Sequence, residues 1–283
     1  MKKTVTVVGH AAYDYLFNVA DHPHENHSTY ILDWEKHYGG GAANIATGIA
    51  ALGGKSRLYT VAGSDFKRYE AYLARKGVAC VLVRSNRKTA RAYIFNAGGR
   101  QKMYFYWGAS EEMERMRGIK SRYCHIAPCH PSLAVRMVEK SRFVAFEPGQ
   151  DLQRYDGSTL SYITEEADII FCNETELRAM EKKVPLKGKE VIVTLGERGS
   201  LLRKNNMRIP PVPAKSVDPT GAGDAYKAGF WIALLKGYEI PECCRMGATV
   251  ASFVVERKGT QHFPAWETVI SRYERQFGSV QDL

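Results

Sequence analysis

Short apolar, β-branched runs alternate with helical patterns along most of this 283-residue chain. TVTVVG at 4–9 precedes the small and apolar residues of AANIATGIAALGG, and ADIIFCN at 167–173 precedes ETELRAMEKK. EVIVTLG at 190–196 is followed in the same way by SLLRK, which is predicted to be helical. Strands that alternate with helices indicate a parallel sheet covered on both faces. The predicted fold is therefore a three-layer αβα, Rossmann-like core with a mostly parallel central sheet.

Two regions interrupt this alternation, because each holds two strand patterns with no helix between them. Residues 12–38 contain YDYLFNVADHP and STYILDWEKHYG, and residues 88–107 contain two apolar and aromatic runs around an Asn-Ala-Gly-Gly turn. Both regions are typical of hairpins. They are predicted to form a small antiparallel β-sheet that projects from a core made of residues 1–11, 39–87 and 108–283.

The charge balance fits an anionic ligand. Lys and Arg number 40 against 30 acidic residues, for a net charge of +10, which suits a phosphate-bearing small molecule and also passes a first test for nucleic-acid binding. The basic residues are scattered and form no arm or stripe, so we expect no nucleic-acid partner. No run of about 18 apolar residues predicts a membrane span, and the N-terminal apolar run is shorter than the roughly 7–15 residues of a signal-peptide core. We therefore expect a cytoplasmic protein.

Six cysteines occur without a C-x-x-C pair, and reduced thiols are the expectation for a cytosolic chain. The segment CHIAPCH at 124–130 offers two Cys and two His, but it lacks the usual spacing of a zinc site. The preferred interpretation is a strand end, YCHIA, followed by a loop and a helix that begins with proline.

The segment VDPTGAGDAYKAGF at 217–230 places two glycines and a carboxylate at the start of a helical pattern. The first N–H groups of a helix have no internal partner and carry roughly half a positive charge, and glycine lets a ligand approach the backbone. The segment therefore predicts a phosphate-binding anion hole. Asp224 could serve only as a helix cap. Beside a phosphate it can instead accept a proton from an attacking hydroxyl, which is the general-base role in phosphoryl transfer.

A second glycine-rich stretch, GGGAANIATGIAALGG at 39–54, leads into another helix. A tight turn with small-residue packing would explain it. A binding role would instead let the backbone approach a polar substrate, with Asn44 supplying directional hydrogen bonds. Asp14 follows the first strand, and open α/β sheets bind ligands in the loops at the carboxyl ends of their strands. Asp14 is thus either a turn aspartate or an acceptor for sugar hydroxyls.

Two further segments come directly after strands. In FCNETEL at 171–177, Asn173 and Glu176 have the spacing of a capping box. Alternatively they hold Mg²⁺ through water, since Mg²⁺ favours few oxygen ligands, water and phosphate. TLGERGS at 194–200 has a Gly-x-x-Gly pattern that fits a nucleotide phosphate loop. The Walker and dinucleotide-binding glycine fingerprints are absent from the sequence, so neither of those enzyme classes is predicted.

Taken in order, these segments resemble the ribokinase-like (PfkB) family of sugar and nucleoside kinases. GGGAANIATGIAALGG is similar to the N-terminal signature of that family and DPTGAGDAYKAGFW to its C-terminal signature, with NETE and TLGERG between them. The resemblance spans nearly the whole chain. It implies a ribokinase-type αβα core with a β-sheet lid that often mediates dimerisation. It also implies transfer of the γ-phosphoryl group of MgATP to a hydroxymethyl group of the substrate.

The resemblance assigns roles by position. Asp224 would be the catalytic base, beside an anion hole formed by the N–H groups of Gly221, Ala222 and Gly223. Asn173 and Glu176 would organise Mg²⁺ and the phosphates. The sugar would be held by Asp14, Gly40, Gly41 and Asn44. The ATP molecule would lie along Thr194, Gly196, Gly199, Thr220 and Gly223, with its adenine near the segment from Ala248 to Ser252.

Several stretches are similar to bacterial and archaeal adenosine or nucleoside kinases, namely KTARAYIF, EPGQDL, DPTGAGDAYKAGF and VVERKGTQHF. Such enzymes stack the base on lid aromatics, which makes Phe105 and Tyr106 candidates, with Phe105 assigned to the substrate site. The alternative is that these rings pack a lid or dimer core. Gln150 in EPGQDL is a further substrate-binding candidate. Many relatives carry Asp where Glu147 stands.

The predicted activity is phosphorylation of the 5′-hydroxyl of a ribonucleoside by ATP, in a homodimer joined through the lid. A sugar kinase of the same family, acting on ribose or fructose, is the alternative. A non-catalytic sensor on the same scaffold is disfavoured by the intact Asp224 and its flanking glycines. Activation by K⁺, the preferred base or sugar and the best phosphoryl donor are left open.

Overall fold

The computed structural model describes residues 3–279, and this range contains two β-sheets and eight α-helices. The strands are β1 (Thr4–Val8), β2 (Ala12–Val19), β3 (Ile31–Gly39), β4 (Lys55–Ala62), β5 (Ala79–Arg84), β6 (Ala90–Ala97), β7 (Arg100–Tyr106), β8 (Ser121–Ile126), β9 (Ser141–Phe146), β10 (Ile169–Asn173), β11 (Val191–Thr194), β12 (Ser200–Leu202) and β13 (Met207–Ile209). The α-helices are α1 (Gly41–Ala51), α2 (Lys67–Arg75), α3 (Pro131–Val138), α4 (Gly157–Glu166), α5 (Glu174–Glu181), α6 (Ala222–Lys236), α7 (Ile240–Val254) and α8 (Trp266–Phe277). Short 3₁₀ helices lie at Gly108–Arg115, Gly149–Arg154 and Gly196–Arg198.

Nine strands form the central sheet in the order β13-β12-β11-β10-β9-β8-β1-β4-β5. Neighbours from β11 to β5 pair in parallel. Helices α1, α2, α6, α7 and α8 pack on one face, and α3, α4 and α5 pack on the other. Apolar side chains fill both interfaces, as is usual where a parallel sheet is buried on both faces. The predicted αβα fold with a mostly parallel sheet is confirmed.

The prediction of a helix at 200–204 was wrong. Ser200–Leu202 forms β12, which pairs antiparallel with β11. Gly196 (φ 62°) and Gly199 (φ 85°) adopt left-handed conformations that turn the chain back on itself. Residues 195–199 alone connect the two strands, a length that permits a hairpin but not a helical crossover.

The second sheet has four strands in the order β3-β2-β6-β7. Its two hairpins, β2–β3 and β6–β7, are antiparallel as predicted. The strands β2 and β6, however, pair in parallel, so the expectation of a wholly antiparallel sheet was wrong. Between β3 and β6 the chain runs through α1, β4, α2 and β5 of the core, and this long connection lets β6 enter beside β2 in the same direction.

The small sheet is attached at the carboxyl edge of the central sheet, because residues 9–11 alone connect β1 to β2. The segment CHIAPCH follows the preferred interpretation, since it spans the end of β8 and the loop before α3, which begins at Pro131. All six cysteine side chains are free thiols. No helix within residues 3–279 combines the length and the apolar character needed to cross a bilayer.

Candidate active site

The residue before α6 must be a glycine, because neither its backbone conformation nor the space around it suits a side chain. Gly221 precedes the helix with φ of 80°, and a Cβ there would lie 2.8 Å from Cβ of Thr260. The N–H of Ala222 donates to a carbonyl of the preceding turn at 3.2 Å, so this member of the predicted anion hole is already engaged. Within residues 3–279, the N–H groups of Gly221, Gly223 and Asp224 have no protein acceptor. Three amides are therefore left for an anion at the positive end of the helix.

Asp224 lies in the first turn of α6, where its carboxylate is held between two helices. Nδ2 of Asn44 donates to Oδ2 of Asp224 at 2.8 Å, and Nζ of Lys227 lies 3.8 Å from Oδ1. Gly41 faces the same oxygen, because a Cβ at Gly41 would lie 3.5 Å from it. Burial raises the pKa of Asp224 to about 6, although Lys227 acts to lower it. At pH 7 Asp224 is thus ionised and is a stronger base than an exposed aspartate.

Asn44 is oriented by two residues of the segment VVERKGTQHF, Thr260 and Gln261, to which the sequence alone assigned no role. Its Oδ1 accepts hydrogen bonds from Oγ1 of Thr260 and from Nε2 of Gln261, each at 2.9 Å. Because these donors occupy the carbonyl oxygen, the amide nitrogen of Asn44 must face Asp224. Thr260 and Gln261 follow Asn44 by 216 and 217 residues, so only the folded chain brings them together.

Asp14 lies on β2 and is buried against the last residue of β3. A Cβ at Gly39 would lie 1.8 Å from Oδ2 of Asp14, so this glycine leaves the space that the carboxylate fills. Burial, together with the negative charges of Asp224 and Asp218, raises the pKa of Asp14 to about 7. A ligand that donates hydrogen bonds would stabilise the charged form.

Two of the glycines predicted to bind ligands are required for close backbone contacts within the protein. Gly40 has φ of 90°, and a Cβ there would lie 2.6 Å from the backbone nitrogen of Ala12. Gly199 has φ of 85°, and its Cβ would lie 2.1 Å from the carbonyl oxygen of Ile209. Both positions need glycine because another segment of backbone lies close to them.

Phe105 lies on the same face of the small sheet as Asp14. One row of cross-strand partners consists of His37, Asp14, Ala92 and Phe105. Partners in one row share a face, whereas the next residue, Tyr106, points to the opposite face. Ala92 is small and leaves room between the carboxylate and the ring. The Phe105 ring is therefore placed to contact a ligand that Asp14 holds.

His10 connects this face to the segment that contains Gln150. The ring of His10 lies edge-on to Phe105, with centroids 4.8 Å apart, and its Nε2 lies 2.8 Å from Oδ2 of Asp151. His10 and Asp151 are both buried, whereas Gln150, which precedes Asp151 in the 3₁₀ helix Gly149–Arg154, is exposed. Asp151, which was not predicted, is thus the residue of this segment that is bound to His10, whose ring contacts Phe105.

A cavity of about 570 Å³ adjoins the N-terminus of α6. Its lining includes six of the residues predicted to contact ATP, namely Thr194, Gly196, Gly199, Gly223, Ala248 and Ser252. Thr220 and Asn173 lie outside the lining as the described residues form it. Val212, Ala251 and Val255 add an apolar wall. The volume lies in the range of small-molecule sites, and an apolar wall next to free amides suits a ligand with one flat ring and one anionic end.

Asn173 and Glu176 form the predicted capping box at the start of α5. Oδ1 of Asn173 accepts from the N–H of Glu176, and Oε2 of Glu176 accepts from the N–H of Asn173, both at 2.9 Å. The box uses one carboxylate oxygen and leaves Oε1 of Glu176 for a water molecule. Burial raises the pKa of Glu176, and a nearby cation would counter that effect. This donor set fits a water-mediated Mg²⁺ rather than a directly ligated ion, since residues 3–279 contain no group of three His, Cys, Asp or Glu arranged as a metal site.

Known proteins are similar to this chain over almost its whole length. The model of the pfkB family of carbohydrate kinases matches residues 2–268. The chain is 36% identical to a nucleoside kinase of Methanocaldococcus jannaschii over 96% of this chain and 97% of that protein. It is 34% identical to a nucleoside kinase of Methanothermobacter thermautotrophicus over 98% and 97%. The crystal structure of the Methanocaldococcus jannaschii nucleoside kinase, an archaeal member of the ribokinase family, superposes with a TM-score of 0.87 over 96% of this chain and 98% of that chain.

Proposed function

The chain belongs to the pfkB family of carbohydrate kinases, and we propose that this kinase transfers the γ-phosphoryl group of ATP to the 5′-hydroxyl of a nucleoside. The observation that carries the proposal is the position of Asp224. Its neighbour Gly223 lines the 570 Å³ cavity, and its own carboxylate is bonded to Asn44. A base at this position lies between a nucleotide in the cavity and an alcohol held near Asp14.

In the proposed step the oxygen of the acceptor hydroxyl attacks the γ-phosphorus of ATP. A new O–P bond forms, and the bond between the γ-phosphorus and the bridging oxygen breaks, so that ADP leaves with the electron pair. The hydroxyl proton passes to the carboxylate of Asp224. The unpaired amides of Gly221, Gly223 and Asp224 donate to the oxygens of the transferring group, while Asn44 keeps the carboxylate in place.

We expect ATP to bind with Mg²⁺, which Asn173 and Glu176 would hold through water. When bound, the ion supplies neutralising charge at the phosphates. Replacing K⁺ by tetramethylammonium in the assay described below tests activation by K⁺.

A nucleoside is favoured over a free sugar because an aromatic ring lies on the face that carries Asp14. A sugar needs only hydroxyl acceptors, whereas a nucleobase gains from a flat apolar partner. Phe105 supplies such a ring one strand beyond Ala92. The names of the two archaeal relatives support the same choice.

A substrate panel tests the proposal. ADP release is measured with ATP, Mg²⁺ and each of several nucleosides, ribose and fructose. We expect turnover with nucleosides and a much lower kcat/KM with the free sugars. Activity on ribose or fructose alone would assign the chain to the sugar kinases of the same family.

A matched pair of variants tests the role of the aromatic ring. Phe105→Ala should raise KM for a nucleoside by about 5- to 150-fold, since base stacking on an aromatic side chain contributes about 1–3 kcal/mol. Tyr106→Ala removes the adjacent ring from the opposite face and should leave KM within about twofold. Equal effects of the two substitutions would mean that both rings serve packing only.

We also propose that the small sheet acts as a lid and joins two copies of the chain. The face opposite Asp14 carries exposed aromatic side chains, with Trp34 58% and Tyr104 63% exposed, and exposed apolar patches of this kind mark interaction surfaces. Trp34→Lys should convert a dimer to a monomer in sedimentation velocity. Tyr162→Lys, an exposed aromatic on α4, should not. A monomeric unsubstituted protein would exclude the dimer.

A further inference from the structure

Helix α6 is apolar along most of its length, yet it buries a lysine. Asp224, Lys227 and Trp231 are spaced by three and four residues and therefore share one side of the helix. Lys227 is 8% exposed and Trp231 is fully buried. Because an ammonium group is costly to bury without partners, the partners of Lys227 indicate its role.

Trp231 and His125 begin a chain of hydrogen bonds that leads to Lys227. Nε1 of Trp231 donates to Nδ1 of His125 at 2.9 Å. An indole N–H can only donate, so Nδ1 carries no proton and the neutral imidazole carries its proton on Nε2. Burial lowers the pKa of His125, in agreement with a neutral ring. Nε2 lies 3.1 Å from Oε1 of Glu147 and donates to it.

Glu147 binds Lys227 through its second oxygen. Oε2 of Glu147 and Nζ of Lys227 form an ion pair. The same ammonium lies 3.8 Å from Oδ1 of Asp224, too far for a hydrogen bond. Lys227 thus gives its hydrogen bond to Glu147 and only its charge to Asp224, so Oδ1 of Asp224 stays open.

We propose that Lys227, anchored by Glu147, is a positioning residue that keeps Asp224 charged and its Oδ1 free to accept the proton of the substrate hydroxyl. This inference rests on the proposed general-base role of Asp224. Without Glu147 the ammonium would be drawn onto Asp224 and would compete with the substrate for Oδ1. Without Lys227 the carboxylate of Asp224 would keep its hydrogen bond from Asn44 but would lose the nearby positive charge that offsets Glu147 and Asp14.

Charged groups reach Asp224 from three elements packed around it. Lys227 comes from α6, Glu147 from the segment after β9 and Asp14 from β2, while Glu176 of α5 acts on Lys227. Among these groups of the described chain, Lys227 is the cation. An opposite charge at about 4–6 Å lowers the pKa of a carboxyl group by about 1–3 units, so removing Lys227 should make Asp224 easier to protonate.

The test is the acid limb of the pH profile of kcat/KM, which reports the ionisations that the free enzyme needs; it is fitted with two ionisations, and the shifts below refer to the one at about 6 that belongs to Asp224. Lys227→Met should move this limb up by about one pH unit or more. Glu147→Gln should move it down. It should also lower the plateau of kcat/KM at high pH, because the ammonium of Lys227 then binds Oδ1 of Asp224 and competes with the substrate. Lys227→Arg, which keeps the charge, should leave the limb within about 0.3 unit. If Lys227→Met does not fold, the shift in Glu147→Gln and its absence in Lys227→Arg decide the question.

Lys183→Met is the matched control. Nζ of Lys183 donates to two backbone carbonyls, those of Leu152 and Tyr155, so its loss costs stability without touching Asp224 and should not move the limb. Uniform losses of rate at every pH in Lys227→Met and Glu147→Gln would overturn the inference and leave Lys227 a structural residue. Asp224→Asn separates the two proposals. Retained turnover there overturns the base assignment, whereas lost turnover with unshifted limbs overturns only the role of Lys227.

Discussion

Three buried carboxylates lie at the carboxyl edge of the central sheet, and they differ in how many hydrogen-bond donors and positive charges surround them. Glu147 has an ammonium partner in Lys227 and an N–H donor in His125. Burial alone would raise the pKa of Glu147, but these two partners hold it well below its usual range. Asp224 has one neutral donor, and burial raises its pKa to about 6. Burial likewise raises the pKa of Asp14 to about 7.

This difference separates a carboxylate of the scaffold from carboxylates that are available to substrate. A fully paired carboxylate gains little when a ligand arrives, because its oxygens already have donors. Asp14 and Asp224 are underpaired, so a ligand that brings hydroxyl groups stabilises them. Perturbed pKa values of this kind are concentrated at functional sites. The comparison therefore supports the proposal that Asp14 and Asp224 serve the substrate and that Glu147 supports the site.

The largest expected effect is the loss of turnover when Asp224 can no longer accept a proton. Asp224→Asn keeps the size of the side chain and an oxygen for the contact with Asn44, but it removes the proton acceptor. We expect kcat to fall by about 10²–10⁴-fold, with KM for both substrates within a few-fold. Steady-state ADP release measures both constants.

The control for this substitution is the same chemical change at a surface carboxylate. Asp156 is the exposed N-cap of α4, and its Oδ1 accepts from the N–H of Thr159 at 2.7 Å. Asp156→Asn should change turnover by less than about twofold. Near-normal turnover in Asp224→Asn would remove the general-base role and, with it, the distinction drawn between Asp224 and Glu147.

Local sequence could single out Asp224, Asn44 and Asp14, because each lies within a few residues of a glycine turn or a strand end. It could not assign a role to the residues that support them. No local pattern distinguishes Lys227 from an exposed helical lysine, and the separation of 106 residues between His125 and Trp231 hides their contact from any local pattern. The role of Gly39 also depends on its contact with the carboxylate of Asp14 on the neighbouring strand, which sequence alone does not reveal.

The fold shows the same division between local and long-range information. Periodicity predicted the alternating strands and helices and both hairpins, since each of these patterns is local. The parallel pairing of β2 with β6 joins segments separated by a passage through the core, so no hairpin rule applies to it. The strand at Ser200–Leu202 was misread because its three residues are too few to show a period.

A second prediction uses pH to sharpen the comparison. Asp224 must be ionised to accept a proton and Asp14 must be ionised to accept hydrogen bonds, so kcat/KM should fall as the pH drops through their pKa values of about 6 and about 7. Each required ionisation contributes a slope of about one to the plot of log(kcat/KM) against pH. We expect the slope to approach two below pH 6 and to return to one in Asp14→Asn. An acid limb near pH 4 would mean that both carboxylates are well solvated.

The smallest expected effect concerns stability. Here the substitution of a proposed site residue, Asp14, is expected to stabilise the protein rather than to impair it. The folded state raises the pKa of Asp14 from 3.8 to about 7, so it favours the protonated form. The stabilisation that this provides is complete below pH 3.8 and is lost as the pH rises through 7. Above pH 7 the protein therefore carries the cost of a buried, underpaired charge. Asp14→Asn should raise the free energy of unfolding at pH 8 by about 1–3 kcal/mol, measured by urea denaturation.

At pH 4 the same substitution should have almost no effect, because Asp14 is then neutral in the folded protein. Asp151→Asn is the matched control, since its carboxylate already has a partner in His10 and should show no gain at pH 8. A loss of stability in Asp14→Asn at both pH values would mean that Asp14 has all the donors it needs within the protein. Asp14 would then belong with Glu147 in the scaffold, and the substrate would need another acceptor for its hydroxyl groups.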